Sequence, residues 1–155
     1  MPAQSPESTS FCSKDISVLL PPNDSKMNAE IISIGDELLI GQVIDSNSAW
    51  IAEKLTEEGI RVVRITSISD QKDEIFEALD AASQKADLVM MTGGLGPTAD
   101  DITKPALCEY FDTELGFYEE TYQYIVEMFR KRNFPMTESN RNQAMLPKDA
   151  LHLNN

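Results

Sequence analysis

A chain of 155 residues, 41% apolar and 25% charged, is long enough for one domain with a proper core and ordinary in composition for a globular protein. Its net charge of −13 argues against a broad nucleic-acid or anionic-membrane surface, and no apolar run approaches the length of a membrane span. Two cysteines far apart (Cys12 and Cys108) and a single histidine (His152) leave no Cys–His, Ser–His–Asp or His-rich zinc pattern, and read as free thiols of a cytoplasmic protein.

Residues 1–26 are rich in Ser and Pro and carry no helical or strand period. Val18-Leu19-Leu20 is too short for a secretory core. They are expected to form a disordered leader, with the domain running over 27–155 and an alternative start at Met27. Ala29 to Ile34 predicts a buried strand ended by Gly35-Asp36-Glu37. A loop, Leu38 to Ile44, leads to Asp45-Ser46-Asn47, all N-cap residue types. The helix that follows to about Glu58 places Ser48, Ile51, Ala52 and Leu55 on one face, and Gly59 stops it. Ile60 to Thr66 is a second strand; Ser69-Asp70 opens a second helix, with Asp70 as its cap and Ile75, Leu79 and Ala82 inward. Asp87 to Met91 is a third strand, and Ile102 to Phe111 a third helix capped by Thr103, so that Pro105 falls in its first turn.

Strand and helix alternate three times, which predicts an α/β fold with a parallel sheet and helices on its faces. Ligands bind beyond the carboxyl ends of such strands. Those ends gather Asp36, Glu37, Asp70, Asp100 and Asp101 on one rim. Further on, Phe117 to Arg132 predicts a helix stopped by Pro135, and Glu138 to Met145 a short helix ended by Pro147. Leu151-His152-Leu153 looks like the start of a strand, so a domain cut short at Asn155 is expected.

Thr92 to Asp101, TGGLGPTADD, holds the chemistry. Gly93, Gly94 and Gly96 allow close backbone approach to a ligand, and the helix behind them adds positive partial charge, so the turn suits a phosphate. It lacks the lysine and hydroxyl of a Walker loop, and the dinucleotide fingerprint formally present at 94–99 sits on the third strand rather than the first. The plainer reading is a tight strand-to-helix turn. Carboxylates beside a phosphate repel it unless they hold a metal ion or act as acid or base. Asp101 has no capping task if Thr103 caps the helix, which favours a functional role over a bond that merely closes the turn.

Several blocks in order resemble one family. Ile34-Gly35-Asp36-Glu37-Leu38-Leu39 with Gly41-Gln42 and Asp45-Ser46-Asn47, then Thr92 to Thr103, then Asn140 to Ala144, look like the competence/damage-inducible protein A (CinA) family from about Ala29 onward. The resemblance implies a MoaB/Mog-like molybdopterin-binding fold, a three-layer α/β sandwich with a mostly parallel central sheet, incomplete at its C-terminal end. It implies hydrolysis of ADP-ribose or a related nucleotide at its pyrophosphate, aided by a divalent ion (Mg²⁺ or Co²⁺). The alternatives are a molybdopterin-binding or adenylyl-transfer domain, or an inactive fragment. It assigns catalysis to Asp70 and Asp101, which would also hold the metal, and substrate binding to Gly35, Asp36, Glu37, Asn47, Thr92, Gly93, Gly94, Leu95, Gly96 and Thr98. The expected partner is a small nucleotide, with no nucleic acid and no membrane, and a homo-oligomer is compatible with it.

Overall fold

The computed structural model describes residues 27–96 and 101–153. In chain order the elements are β1 (Asn28–Ile34), α1 (Asp36–Leu39), α2 (Ser46–Glu57), β2 (Arg61–Ile68), α3 (Lys72–Ser83), β3 (Leu88–Thr92), α4 (Thr103–Tyr110), β4 (Leu115–Phe117), α5 (Glu119–Lys131), α6 (Glu138–Asn142) and β5 (Met145–Pro147). The first strand in sequence takes the middle of a parallel sheet ordered β2-β1-β3, with Ile31 level with Ile65 and Met90. That place accounts for its composition. Ala29 to Ile34 are all 2% exposed or less, and a strand buried on both faces reads as a continuous run rather than an alternation.

On one face Ile32 and Ile34 pack with Ile68, with Ile75, Leu79 and Ala82 of α3, and with Ala106 of α4. Fully burying each of these isoleucines favours the fold by about 1.5–3 kcal/mol. On the other face the Ser33 hydroxyl meets Ser48 of α2 at 2.6 Å. Helices on both sides of the sheet make the three layers of the expected α/β sandwich. A separate antiparallel pair, β4 with β5, lies against α4. Among the described residues no helix is long and apolar enough to cross a membrane.

Several local expectations give way to tertiary demands. The stretch read as a loop from Leu38 begins as one helical turn, α1, with Asp36 and Glu37 in its first turn, where carboxylates suit the helix dipole. Asp70 does not cap α3: Gln71 holds that position without a side-chain bond, and Glu74 instead reaches back to the Ser69 amide at 3.0 Å. Thr103 is the first residue of α4 rather than its cap, which is Ile102. The Thr103 hydroxyl, fully buried, donates to the Gly93 carbonyl at 3.0 Å and so is satisfied. Pro105 then falls at the third helical position, where its missing N–H would have had no partner.

Past α4 the breakers act differently from expectation. α5 ends before Pro135 because Asn133 turns left-handed (φ 54°) and the Phe134 amide closes on the Phe129 carbonyl at 3.0 Å. α6 is short, fixed by a capping box between Thr137 and Asn140. Pro147 sits in β5, opposite Leu115 in a two-stranded pair, where a missing donor is tolerated. Residues 151–153 form no strand; the His152 ring packs edge-on against Tyr118 at 4.1 Å.

Candidate functional site

The parallel register sets Ile34 level with Ile68 and Ser33 level with Thr92, so the segments after β1, β2 and β3 meet on one rim. The first two are tied by a hydrogen bond. The Gly35 amide donates to the Ile68 carbonyl at 3.0 Å, and the Asp36 amide faces the Asp70 carboxylate. Burial pushes the Asp70 carboxyl above its ordinary value, and the charges of Asp36, Glu37 and Asp101 push it further; the Asp36 amide opposes them. Four carboxylates from three loops therefore share one neighbourhood.

The glycine loop is pressed onto the end of β1. Gly93 is left-handed (φ 95°), and a Cβ there would overlap the Ile34 carbonyl oxygen. Thr103 holds the loop from behind, its amide on the Gly94 carbonyl at 3.2 Å and its hydroxyl on the Gly93 carbonyl. In front, the Gly96 amide donates to Asp101 Oδ1 at 2.8 Å. A Cβ on Gly96 would come within 2.5 Å of Asp101 Oδ2, so glycine leaves room for that carboxylate. Asp101 thus does close the turn, and its charge also acts on Asp70.

Next to the acidic rim lies a cleft of about 110 Å³, open to solvent. Ser33, Glu37, Asp45, Asn47, Thr92 and Gly93 make its polar side, and Leu38, Val43 and Ile44 its apolar side. Asn47 Nδ2 donates to the Thr92 hydroxyl at 3.3 Å, joining the start of α2 to the end of β3. Asp45 caps α2, as its residue type predicts, by accepting from the Ser48 amide at 3.0 Å. Burial raises the Asp45 carboxyl, but the Ser33 hydroxyl and the Ser48 amide and hydroxyl beside it pull harder, and the net direction is downward.

Gly35, Asp36, Glu37, Asn47, Asp70, Thr92, Gly93, Gly94, Leu95, Gly96 and Asp101 all lie on the strand-end loops or on the start of α2. The cleft takes in Glu37, Asn47, Thr92 and Gly93 but not Asp70 or Asp101; Glu37 lines it and its charge also acts on Asp70. Thr98 and Asp100 lie outside the described residues. The sequence reading missed Ser33 and Asp45 as lining residues, and Glu74 as the anchor of the loop bearing Asp70. Glu74 had a readable signal: it is the third helical residue, the position from which a Glu reaches back to free amides.

Among the described residues no three His, Cys, Asp or Glu side chains gather closely enough to cage a metal ion. Asp70 and Asp101, whose charges act on each other across the rim, have the carboxylate chemistry that suits an oxygen-seeking divalent ion of the Mg²⁺ kind. Such an ion is held by one or two carboxylates and fills its shell with substrate phosphate and water. The crowding of negative charge that raises Asp70 is what a cation there would relieve.

Residues 30–149 match a family described as "Probable molybdopterin binding domain". The chain is 46% identical over 127 residues to a CinA-like protein of Cytophaga hutchinsonii and 43% identical over 129 residues to one of Kosmotoga olearia. The aligned regions are 82% and 83% of this chain but only 30% and 31% of those relatives, so it spans less than a third of their length. The CinA structure from Thermoplasma acidophilum superposes with a TM-score of 0.67 at 32% identity, covering 79% of this chain and 72% of that one. The tungsten cofactor synthesizing protein MoaB of Pyrococcus furiosus follows with 0.54 at 25% identity, over 70% and 66%. With its fold, its loop sequences and these likenesses in agreement, the chain belongs to the CinA family, through a domain of the molybdopterin-binding type.

Proposed function

We propose that this domain hydrolyses the pyrophosphate bond of ADP-ribose or a related nucleotide with the help of a divalent ion, Mg²⁺ or Co²⁺. The supporting observation is the raised Asp70 carboxyl, crowded by Asp36, Glu37 and Asp101 beside a glycine loop. Free amides of the loop bind one phosphate; the Gly96 amide is already taken by Asp101. Asn47, Thr92 and the apolar wall of Val43 and Ile44 line the cleft that receives the nucleoside end. Asp70 orients the attacking water and takes its proton. The water oxygen bonds to phosphorus as the bridging P–O bond breaks, giving AMP and ribose 5-phosphate. A divalent ion held by Asp70 and Asp101 would offset the negative charge that develops on the phosphates.

Incubation with ADP-ribose and Mg²⁺ or Co²⁺ tests the reading by chromatography of AMP. AMP release that stops on adding a chelator is the expected result; no release with any divalent metal overturns it.

A second reading, a molybdopterin-binding or adenylyl-transfer domain, is favoured by the family match over residues 30–149 and the likeness to MoaB. Calorimetry with molybdopterin against ADP-ribose separates the two. Tight binding of the pterin alone reverses their order.

A further inference from the structure

Lys104 sits in the first turn of α4, directly behind the glycine loop, and is the only basic residue of that helix. Its side chain is half-buried, and its ammonium donates to the Met145 carbonyl of β5 at 3.3 Å, long for an N–H···O bond. An ammonium carries three donors. Lys54, Lys72, Lys131 and Lys148 each pair with a glutamate, whereas Lys104 makes no ion pair among the described residues. Burial pulls it below the ordinary lysine value, and the charge of Asp101 only partly restores it. A part-buried cation without a close counter-ion is costly unless an anion arrives. A strut between α4 and β5 alone would not need the charge.

We propose that Lys104 is the protein's own phosphate-binding cation at the glycine loop. The inference rests on the reading of that loop as a phosphate site. In the free protein the ammonium rests on the Met145 carbonyl; with a nucleoside diphosphate on the loop it donates to a phosphate oxygen. It acts beside the divalent ion proposed for Asp70 and Asp101, and makes β5 part of the site's support. No bond is made or broken by Lys104, so the test needs binding and no turnover.

The experiment is calorimetry of the whole chain with ADP, pyrophosphate and adenosine, without metal, at low and high salt. Lys104→Met keeps the apolar stem and loses the charge; Lys104→Arg keeps the charge; Lys104→Gln keeps a donor for Met145. Expected are a loss of ADP and pyrophosphate affinity of about tenfold or more in the Met and Gln variants, retention within a few-fold in Arg, and unchanged adenosine binding. Thermal melts of all three should stay close to wild type. ADP affinity unchanged in both Met and Gln variants overturns the role of Lys104 and leaves the loop standing. A wild-type chain that binds neither ADP nor pyrophosphate overturns both.

Discussion

The Asp70 carboxylate faces the backbone N–H of Asp36, so the loop after β2 lies against the loop after β1 through the residue proposed for catalysis. This placement fixes what substitution at Asp70 can show. Gln71 occupies the cap of α3, so Asp70→Asn removes no cap. Asn keeps an oxygen facing the Asp36 amide, and it removes a charge that Asp36, Glu37 and Asp101 repel. The variant should melt at or above wild type while AMP release falls by about a hundredfold or more. A variant that hydrolyses ADP-ribose within a few-fold of wild type removes Asp70 from the mechanism.

For Asp101 the choice of substitution matters, because its Oδ1 closes the glycine loop on Gly96. Asp101→Asn can keep that bond, so stability should change by less than about 1 kcal/mol, with turnover lost and the metal requirement moved to higher concentration. Asp101→Ala loses the bond as well and should weaken ADP binding in addition. Activity assays paired with melts of both variants separate the charge from the loop. Full activity in Asp101→Asn would show that the carboxylate only shapes the turn.

Acid should affect two groups in opposite directions. The folded-state value of Asp70 is raised, so ionised Asp70 penalises the fold above that value, and the penalty disappears as pH falls through it. That of Glu74 is lowered by the Ser69 amide and hydroxyl, so its stabilisation is present above the unfolded value and lost as pH falls through the folded one. Melting temperatures followed from neutral pH into the carboxylate range should therefore drop more steeply for Asp70→Asn than for wild type, and less steeply for Glu74→Gln. Parallel curves for all three would contradict these assignments.

The loop's support can be tested without any ligand. Gly93→Ala puts a Cβ against the Ile34 carbonyl at a left-handed backbone position and should cost more than about 3 kcal/mol. Thr103→Val leaves the half-buried Gly93 carbonyl without the donor that the fully buried Thr103 hydroxyl supplies, a loss of about 1–3 kcal/mol. Urea melts give both values. A Gly93→Ala chain as stable as wild type would mean that the loop can move away from β1.

What could be read from the chain followed how local each cause is. The run from Ala29 to Ile34 is rich in isoleucine because both its faces are covered, and Asp45 and Gly59 bound α2 through bonds within the same few residues. Asp70 misled because its type and place suit a cap, while its real partner belongs to another strand's loop. Thr103 misled likewise, its hydroxyl taken by the Gly93 carbonyl across the turn. Pro147 suggested the end of a helix because its pairing with Leu115 cannot be seen in sequence. The carboxylates could be named from the strand-end rule, but not the order in which they crowd one another.

The central place of β1 has a consequence for how the chain acquires its shape. Its neighbours, β2 and β3, both follow it in sequence, and no hairpin joins any two of the three. During synthesis Ile31, Ile32 and Ile34 must wait, unpaired and adhesive, until Ile68 and then Thr92 have left the ribosome. Closing such distant pairs costs loop entropy before any pairing repays it, so refolding from denaturant should be slow for a domain of this size. The interval before β3 arrives is the window in which a chaperone has most to protect.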